Sequence, residues 1–394
     1  MNFLRKLFQN KEKEIILKRE SLKTVFTEAY IDTKMPIFSC MQGKIGNCAM
    51  VSAIACLSTN EETCKKVIDR YLANDILFEN ENNSTVRFNL FKYGKKHQVV
   101  VDDKLLFFDD RLELNKLYLS KSYDNNFAGP LLEKALIQLY FEGYKDAEGV
   151  DEVLMLSSLT NNLYERILFD CNSTFKIHEI ITHGAQSKSL MLVTFKKENL
   201  IPVYEVVSEH SYSLIDMQKH FVKLYDPHGK LVVLPKGYFF QNLDFLDISY
   251  NKNNIFDMNV STVVDFTDKW SLGESGIYLK FELVVEENLT EILLNLTSHH
   301  RINILLNVEF DYKVGHTMNI NEGIVSDNFG LSTNSSLRLK LKEGTYSFLF
   351  QIFKVYNSKV KNFSYILDKL SSEHDEMVIR FASSKVCTIT NTEE

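Results

Sequence analysis

Gln42-Gly43-Lys44-Ile45-Gly46-Asn47-Cys48, followed at once by Ala49-Met50-Val51-Ser52-Ala53-Ile54-Ala55, decides the reading of this chain. A polar loop with two glycines gives way to a small, apolar run. That change places a cysteine where a loop enters a buried helix. A helix start presents N–H groups with no intrahelical partner and positive partial charge, a setting that favours negative charge on sulfur. Gln42 can offer a side-chain N–H to an oxyanion, with the Cys48 backbone N–H as second donor. The plain alternative is a buried structural cysteine.

A second stretch lies far downstream. Val206 to Asp216 and Phe221 to Gly229 both alternate apolar and polar residues, which predicts two strands joined by a short turn. His210 opens the first strand in this reading. Asp226 closes the second, and Pro227 holds it extended. Two antiparallel strands can bring an imidazole and a carboxylate side by side. A cysteine and a histidine remote in sequence are what a cleft enzyme with a thiol nucleophile needs.

These segments resemble the calpains, papain-fold cysteine endopeptidases. Gln42 to Ala55 matches the family's Gln-Gly-x-x-Gly-Asp/Asn-Cys region with its helix. His210-Ser211-Tyr212-Ser213 is similar to His-Ala-Tyr-Ser, and Asp226-Pro227-His228-Gly229 to Asn-Pro-Trp-Gly. Val99-Val100-Val101-Asp102-Asp103 and Pro130-Leu131-Leu132-Glu133-Lys134-Ala135 resemble two further landmarks, all in family order. The resemblance implies a Cys48, His210, Asp226 triad with Gln42 in the oxyanion hole. Three departures stand out: Asp226 for the usual Asn, His228 for a tryptophan that shields the triad, and Glu209 for a glycine before the histidine. A carboxylate still accepts the imidazole N–H and holds the ring. Calpains carry calcium in their protease lobes. Glu133 matches one ligand, but Ser39 and Val232 stand near the places of the other acidic ones. The expectation is that no cofactor is required, with calcium an option whose ligands are largely absent.

The chain has 394 residues, enough for two or three domains, and its 45% hydrophobic and 12% aromatic content excludes a disordered chain. A net charge of −7 argues against nucleic acid as the main partner. The cysteines Cys40, Cys48, Cys56, Cys64, Cys171 and Cys387 form no C-x-x-C pair, so zinc fingers are unsupported. Cys56 is expected in the helix behind Cys48. Residues 1–8 lack the apolar core of a signal peptide, and no stretch approaches a membrane span, so the expected setting is cytoplasmic and reducing. His97, His178, His183, His220 and His316 read as isolated polar residues, and His299-His300 as a turn pair. His228 borders the candidate site, as a cap or a second titrating group.

The fold class expected is α+β: a two-lobed papain-like protease core, one lobe helical and the other β-rich, followed by an antiparallel β-sandwich. Residues 1–24 are expected to form an amphipathic helix. Residues 25–148 make the lobe with the nucleophile, with a strand pair around Phe88 and Val99–Val101 and a helix from Leu131 to Tyr140. Residues 149–262 make the His/Asp lobe, in which Leu190–Phe195 is a buried strand. Residues 263–394 carry strands near Ile277, Ile292, Ile302, Tyr346 and Met377, and Leu341 to Tyr346 resembles a turn of the calpain sandwich domain. The function implied is intracellular cysteine endopeptidase, with a catalytically silent calpain-like scaffold or regulatory binding protein as the alternative. Protein substrates are the partners implied. A regulatory protein or membrane surface is a further option, met through the N-terminal helix or the sandwich.

Overall fold

The computed structural model describes residues 18–21, 25, 40–59, 85–92, 94–107, 117–122, 126–141, 143–169, 174–196, 204–251, 254–255, 258–259, 262–270, 277–287, 290–298, 302–311, 317–324, 333–341, 343–354, 375–385 and 387–391. The expected N-terminal helix is corrected within this range. Lys18–Ser21 form a strand, β1, paired antiparallel with Lys104–Phe107. An open strand edge supplies ladder partners that a four-residue helical segment could not match. Arg19 adds an ion pair to Asp102. Residues 1–17 and 22–24 lie outside the described residues.

Strand β2 (Cys40–Met41) leads into helix α1 (Cys48–Cys56). Ala49 to Cys56 are all buried, as expected of a helix apolar all round. Strands β3 (Thr85–Lys92) and β4 (Lys95–Asp102) form a hairpin, followed by β5 (Lys104–Phe107) and β6 (Lys121–Ser122). Helix α2 (Ala128–Tyr140) starts three residues before the expected Leu131. Asn126 Oδ1 accepts from Ala128 N at 3.1 Å, and Pro130 suits a first helical turn. Helix α3 (Glu152–Thr160) is capped by Asp151, whose side chain accepts from Val153 N and Leu154 N.

The rest of the core is one antiparallel sheet. Its strands are β7 (Tyr164–Leu168), β8 (Leu190–Phe195), β9 (Tyr212–Met217), β10 (Phe221–Asp226), β11 (Lys230–Pro235) and β12 (Leu243–Ser249). The spatial order is β11-β10-β9-β8-β12-β7. Helix α4 (Thr174–Gln186) packs on β8 and β9, and α5 (Lys236–Asn242) joins β11 to β12. Buried apolar side chains form two clusters. One draws mainly on residues of β2 to α3, and the other on the six-stranded sheet with its helices.

Beyond β13 (Asn254–Ile255) and β14 (Met258–Asn259) every element described is a strand. They are β15 (Thr262–Trp270), β16 (Ile277–Val285), β17 (Thr290–Ser298), β18 (Ile302–Asp311), β19 (Thr317–Ile324), β20 (Thr333–Leu341), β21 (Gly344–Lys354), β22 (Asp375–Ser383) and β23 (Cys387–Asn391). They form a four-stranded sheet, β15-β22-β17-β20, and a five-stranded sheet, β19-β18-β21-β16-β23. Phe281 and Phe381, one from each sheet, meet with ring centroids 5.4 Å apart. The Asn295 amide occupies the edge of β7, accepting from Tyr164 N at 3.0 Å and donating to Tyr164 O at 2.7 Å. It thereby satisfies edge groups that would otherwise invite another strand. Arg380 also reaches Asn161 O and Oδ1, each at 3.1 Å.

Candidate active site

Cys48 is the first residue of α1, as its sequence setting predicts. Asn47 stands at the N-cap but its side chain makes no cap hydrogen bond. Instead Asn47 Nδ2 donates to buried Glu133 Oε1 at 2.6 Å, while Glu133 Oε2 accepts from Ser120 N at 2.6 Å. The first N–H groups of α1 are thus not capped by the Asn47 side chain. Gly43 is needed here for close approach. A Cβ on it would lie 2.0 Å from Leu119 O, whereas one on Gly46 would meet only Glu148 Cγ at 3.9 Å. Of the four described cysteines Cys48 is half-buried, and Cys40, Cys56 and Cys387 are buried. Burial pushes the Cys56 thiol up to about 12 and raises that of Cys40 further.

His210 does not open a strand. It precedes β9 by two residues, after Glu209 at φ 54°. That is the left-handed region where glycine is at ease and other residues are strained by about 1–2 kcal/mol. The turn aims the imidazole inward. Its Nε2 lies 3.0 Å from Asp226 Oδ1, and Cys48 is near enough to act on the charge of the ring. With Nε2 engaged by Asp226, Nδ1 is the nitrogen left for the sulfur. Tyr212 packs edge-on against the ring at 4.9 Å, and its hydroxyl accepts from Val207 N at 2.9 Å. Burial alone would lower the His210 pKa. The hydrogen bonds and charges of Asp226 and Cys48 outweigh it and raise the group to about 9. Burial works against ionised Asp226 too, but His210 and the His228 N–H hold its carboxyl below the ordinary value.

Asp226 closes β10, as predicted. Its Oδ1 also accepts from His228 N at 2.8 Å and faces His228 Nδ1 at 2.9 Å. His228 borders the site, its ring stacked on His210 at 4.8 Å and 20°. Gln42 belongs to the same neighbourhood: its backbone N donates to Pro227 O at 2.6 Å. Its side-chain Nε2 donates to Ile45 O at 2.7 Å, which uses one of two amide hydrogens.

Residues that sequence reading missed hold these parts in register. Ser52 Oγ donates to Ser211 O, and Ser213 Oγ donates to Ser52 O, both at 2.8 Å and both buried. Cys56 Sγ donates to Met191 O at 3.4 Å, and Tyr225 OH to Cys40 O at 3.0 Å. Ser52 lies one turn after Cys48, so this reciprocal pair fixes α1 against the segment that carries His210. Among the other histidines, His178 pairs with Lys236 Nζ at 2.5 Å, and His97 sits on β4. His299, His300, His316, Cys64, Cys171, Asp109 and Asp110 lie outside the described residues. Asp102 ends β4 and binds Lys134 Nζ at 2.5 Å.

The family model for calpain family cysteine proteases matches residues 4–236. The chain belongs to that family. It is 26% identical over 210 residues to calpain-8 of Homo sapiens, covering 48% of this chain and 28% of that protein. It is 31% identical over 138 residues to the calpain-2 catalytic subunit of Gallus gallus, covering 32% and 19%. Calpain clp-1 of Caenorhabditis elegans is 31% identical over 130 residues, covering 33% and 16%. The chain thus spans under a third of the length of the curated relatives it matches. A solved structure of infectious bursal disease virus Gt strain overlaps 52% of this chain and 61% of that chain at 6% identity, with a TM-score of 0.17, and carries no argument. Among the described residues no helix is long and apolar enough to cross a membrane.

Calcium, which the family implies, does not fit the described residues around Glu133. Both Glu133 oxygens already accept N–H bonds. Buried Asn47 Oδ1, which has no hydrogen-bond partner, adds a single neutral oxygen where calcium takes about 6–8. Val232 is a buried apolar residue of β11, and Ser39 lies outside the described residues.

Proposed function

We propose that this chain is a cytoplasmic cysteine endopeptidase that hydrolyses peptide bonds through Cys48, His210 and Asp226. The observation that carries the reading is the His210 ring, bound to Asp226 through Nε2 and near enough to Cys48, the first residue of α1, for the sulfur to act on its charge. His210 takes the Cys48 proton at Nδ1 and forms a thiolate–imidazolium pair. The thiolate attacks the scissile carbonyl. The oxyanion is held by the Cys48 N–H and the free amide hydrogen of Gln42. His210 returns the proton to the leaving amine, and water then cleaves the thioester. Asp226 keeps the ring oriented and stabilises the imidazolium, as a carboxylate more strongly than an amide would. The two clusters of buried side chains support a two-lobed papain-like core. The meeting of Phe281 and Phe381 supports a β-sandwich behind it.

Hydrolysis of denatured casein, with calcium and with chelator, beside a Cys48→Ala control tests this reading. The expected result is cleavage in both buffers and none by the variant. Calcium-dependent cleavage would contradict the fit argument, and cleavage by the variant would contradict the mechanism. Gln42→Ala is expected to lower kcat about 10²–10³-fold with little change in KM, as measured with a fluorogenic peptide. The pH profile follows from His210. The reactive pair needs the imidazolium, so kcat/KM is expected to fall as pH rises through about 9. The raised pKa also stabilises the fold below about pH 6.5, and that contribution is lost as pH rises through about 9. A basic limb falling near the ordinary histidine value of about 6.5 would contradict the assignment.

A further inference from the structure

We propose that His210, Asp226 and His228 form a binding site for a divalent transition metal of the zinc class, and that occupancy silences the enzyme. The sequence reading placed no metal here. Two imidazoles and one carboxylate are a donor set that zinc takes readily, with a fourth position left to water. One donor atom from each residue lies within 4.8 Å of the others. Asp226 Oδ1 is 3.0 Å from His210 Nε2 and 2.9 Å from His228 Nδ1. Zinc–nitrogen bonds of about 2.0–2.1 Å space tetrahedral donors roughly 3.3 Å apart, so each imidazole already stands near that spacing from the carboxylate. The two nitrogens must draw together by roughly 1.5 Å to share one ion. The His228 side chain is 58% exposed and has room for that move, while its backbone N–H on Asp226 keeps it near. The exposed side of His228 is also the route by which an ion and its water enter.

The consequence for the enzyme rests on the protease reading; the binding does not. Zinc takes the Nε2 lone pair and displaces to solvent the proton shared with Asp226. The metal-bound ring then carries its remaining proton on Nδ1. That proton is the one taken from Cys48; what is lost is the bond to Asp226, and with it the ring orientation and imidazolium stabilisation that proton transfer to the leaving amine needs.

Zinc uptake by the full-length Cys48→Ala protein, measured by competition with a chromogenic chelator, tests the site without the reactive sulfur. One zinc per chain is expected. In Cys48→Ala/His228→Asn the dissociation constant should rise at least about a hundredfold, beyond the loss typical of an outer-shell partner. No uptake by Cys48→Ala, or equal affinity in the double variant, overturns the proposal. Hydrolysis is then followed against zinc, each protein relative to its own zinc-free rate. The parent should be inhibited at zinc concentrations that leave His228→Asn untouched, and equal inhibition of both would overturn the silencing. Uptake as expected, with a parent inert even without zinc, upholds the metal site and sinks the protease reading instead.

Discussion

Cys48→Ala protein is expected to fold normally and to hydrolyse no peptide bond. The substitution removes one half-buried sulfur from the first position of α1 and leaves Ala49 to Cys56 packed as before. Alanine is the best helix former, so the helix gains rather than loses propensity. In the proposed mechanism the sulfur supplies the attacking electrons, and no other described thiol can stand in, because Cys40, Cys56 and Cys387 are buried. Loss of a nucleophile in a triad typically costs on the order of 10⁶ in kcat. The check is kcat on a fluorogenic peptide, with circular dichroism and the urea midpoint as controls for folding. Residual turnover within tenfold of the parent would remove Cys48 from the chemistry.

Arg166→Met is expected to destabilise the protease core by about 3–5 kcal/mol, among the largest effects open to a single substitution away from the site. Arg166 on β7 binds Asp247 through Nε and Nη2, both at 2.7 Å. It also reaches Asp151 at 3.1 Å and Glu152 at 3.2 Å, and stacks on the Phe245 ring at 4.7 Å. One guanidinium therefore compensates three carboxylates at the point where α3 meets the six-stranded sheet. Methionine matches its length but leaves those carboxylates without their cation. Burial already raises Glu152 and Asp247, with Arg166 pulling against it. Groups with raised folded pKa values stabilise at low pH and lose that contribution as pH rises. The deficit of Arg166→Met should therefore grow between pH 5 and pH 8. Urea unfolding at the two values reads it, and a pH-independent loss below about 1 kcal/mol would show the cluster to be a solvated surface pair.

The site was legible where its parts are local. A cysteine behind a glycine loop and ahead of an apolar run reads as a helix start from sequence alone, and an alternating run ending at Asp226 reads as a strand. What sequence could not show is what sets one segment against another. Ser52 looks like a small filler in an apolar helix, yet its hydroxyl and carbonyl bind Ser211 and Ser213 across the core. Arg166 looks like a surface residue of a half-polar strand until Asp151 and Asp247 converge on it. Lys18–Ser21 carry too little periodicity for their strand to show in the sequence, and the edge of β5 decides their conformation. His210 stands just outside its strand because Glu209 turns the chain, a backbone fact that alternation does not record. In the C-terminal region the alternating runs near Ile277, Ile292, Ile302, Tyr346 and Met377 all fall in strands, since period-two patterning is local too.

The most direct test is acid-quenched turnover of an activated peptide ester, followed by mass mapping of the protein. The account predicts a burst of one acyl group per chain, carried on the peptide that holds Cys48 and absent from His210→Ala. Ester cleavage with no burst, or an acyl group on any other residue, would contradict it.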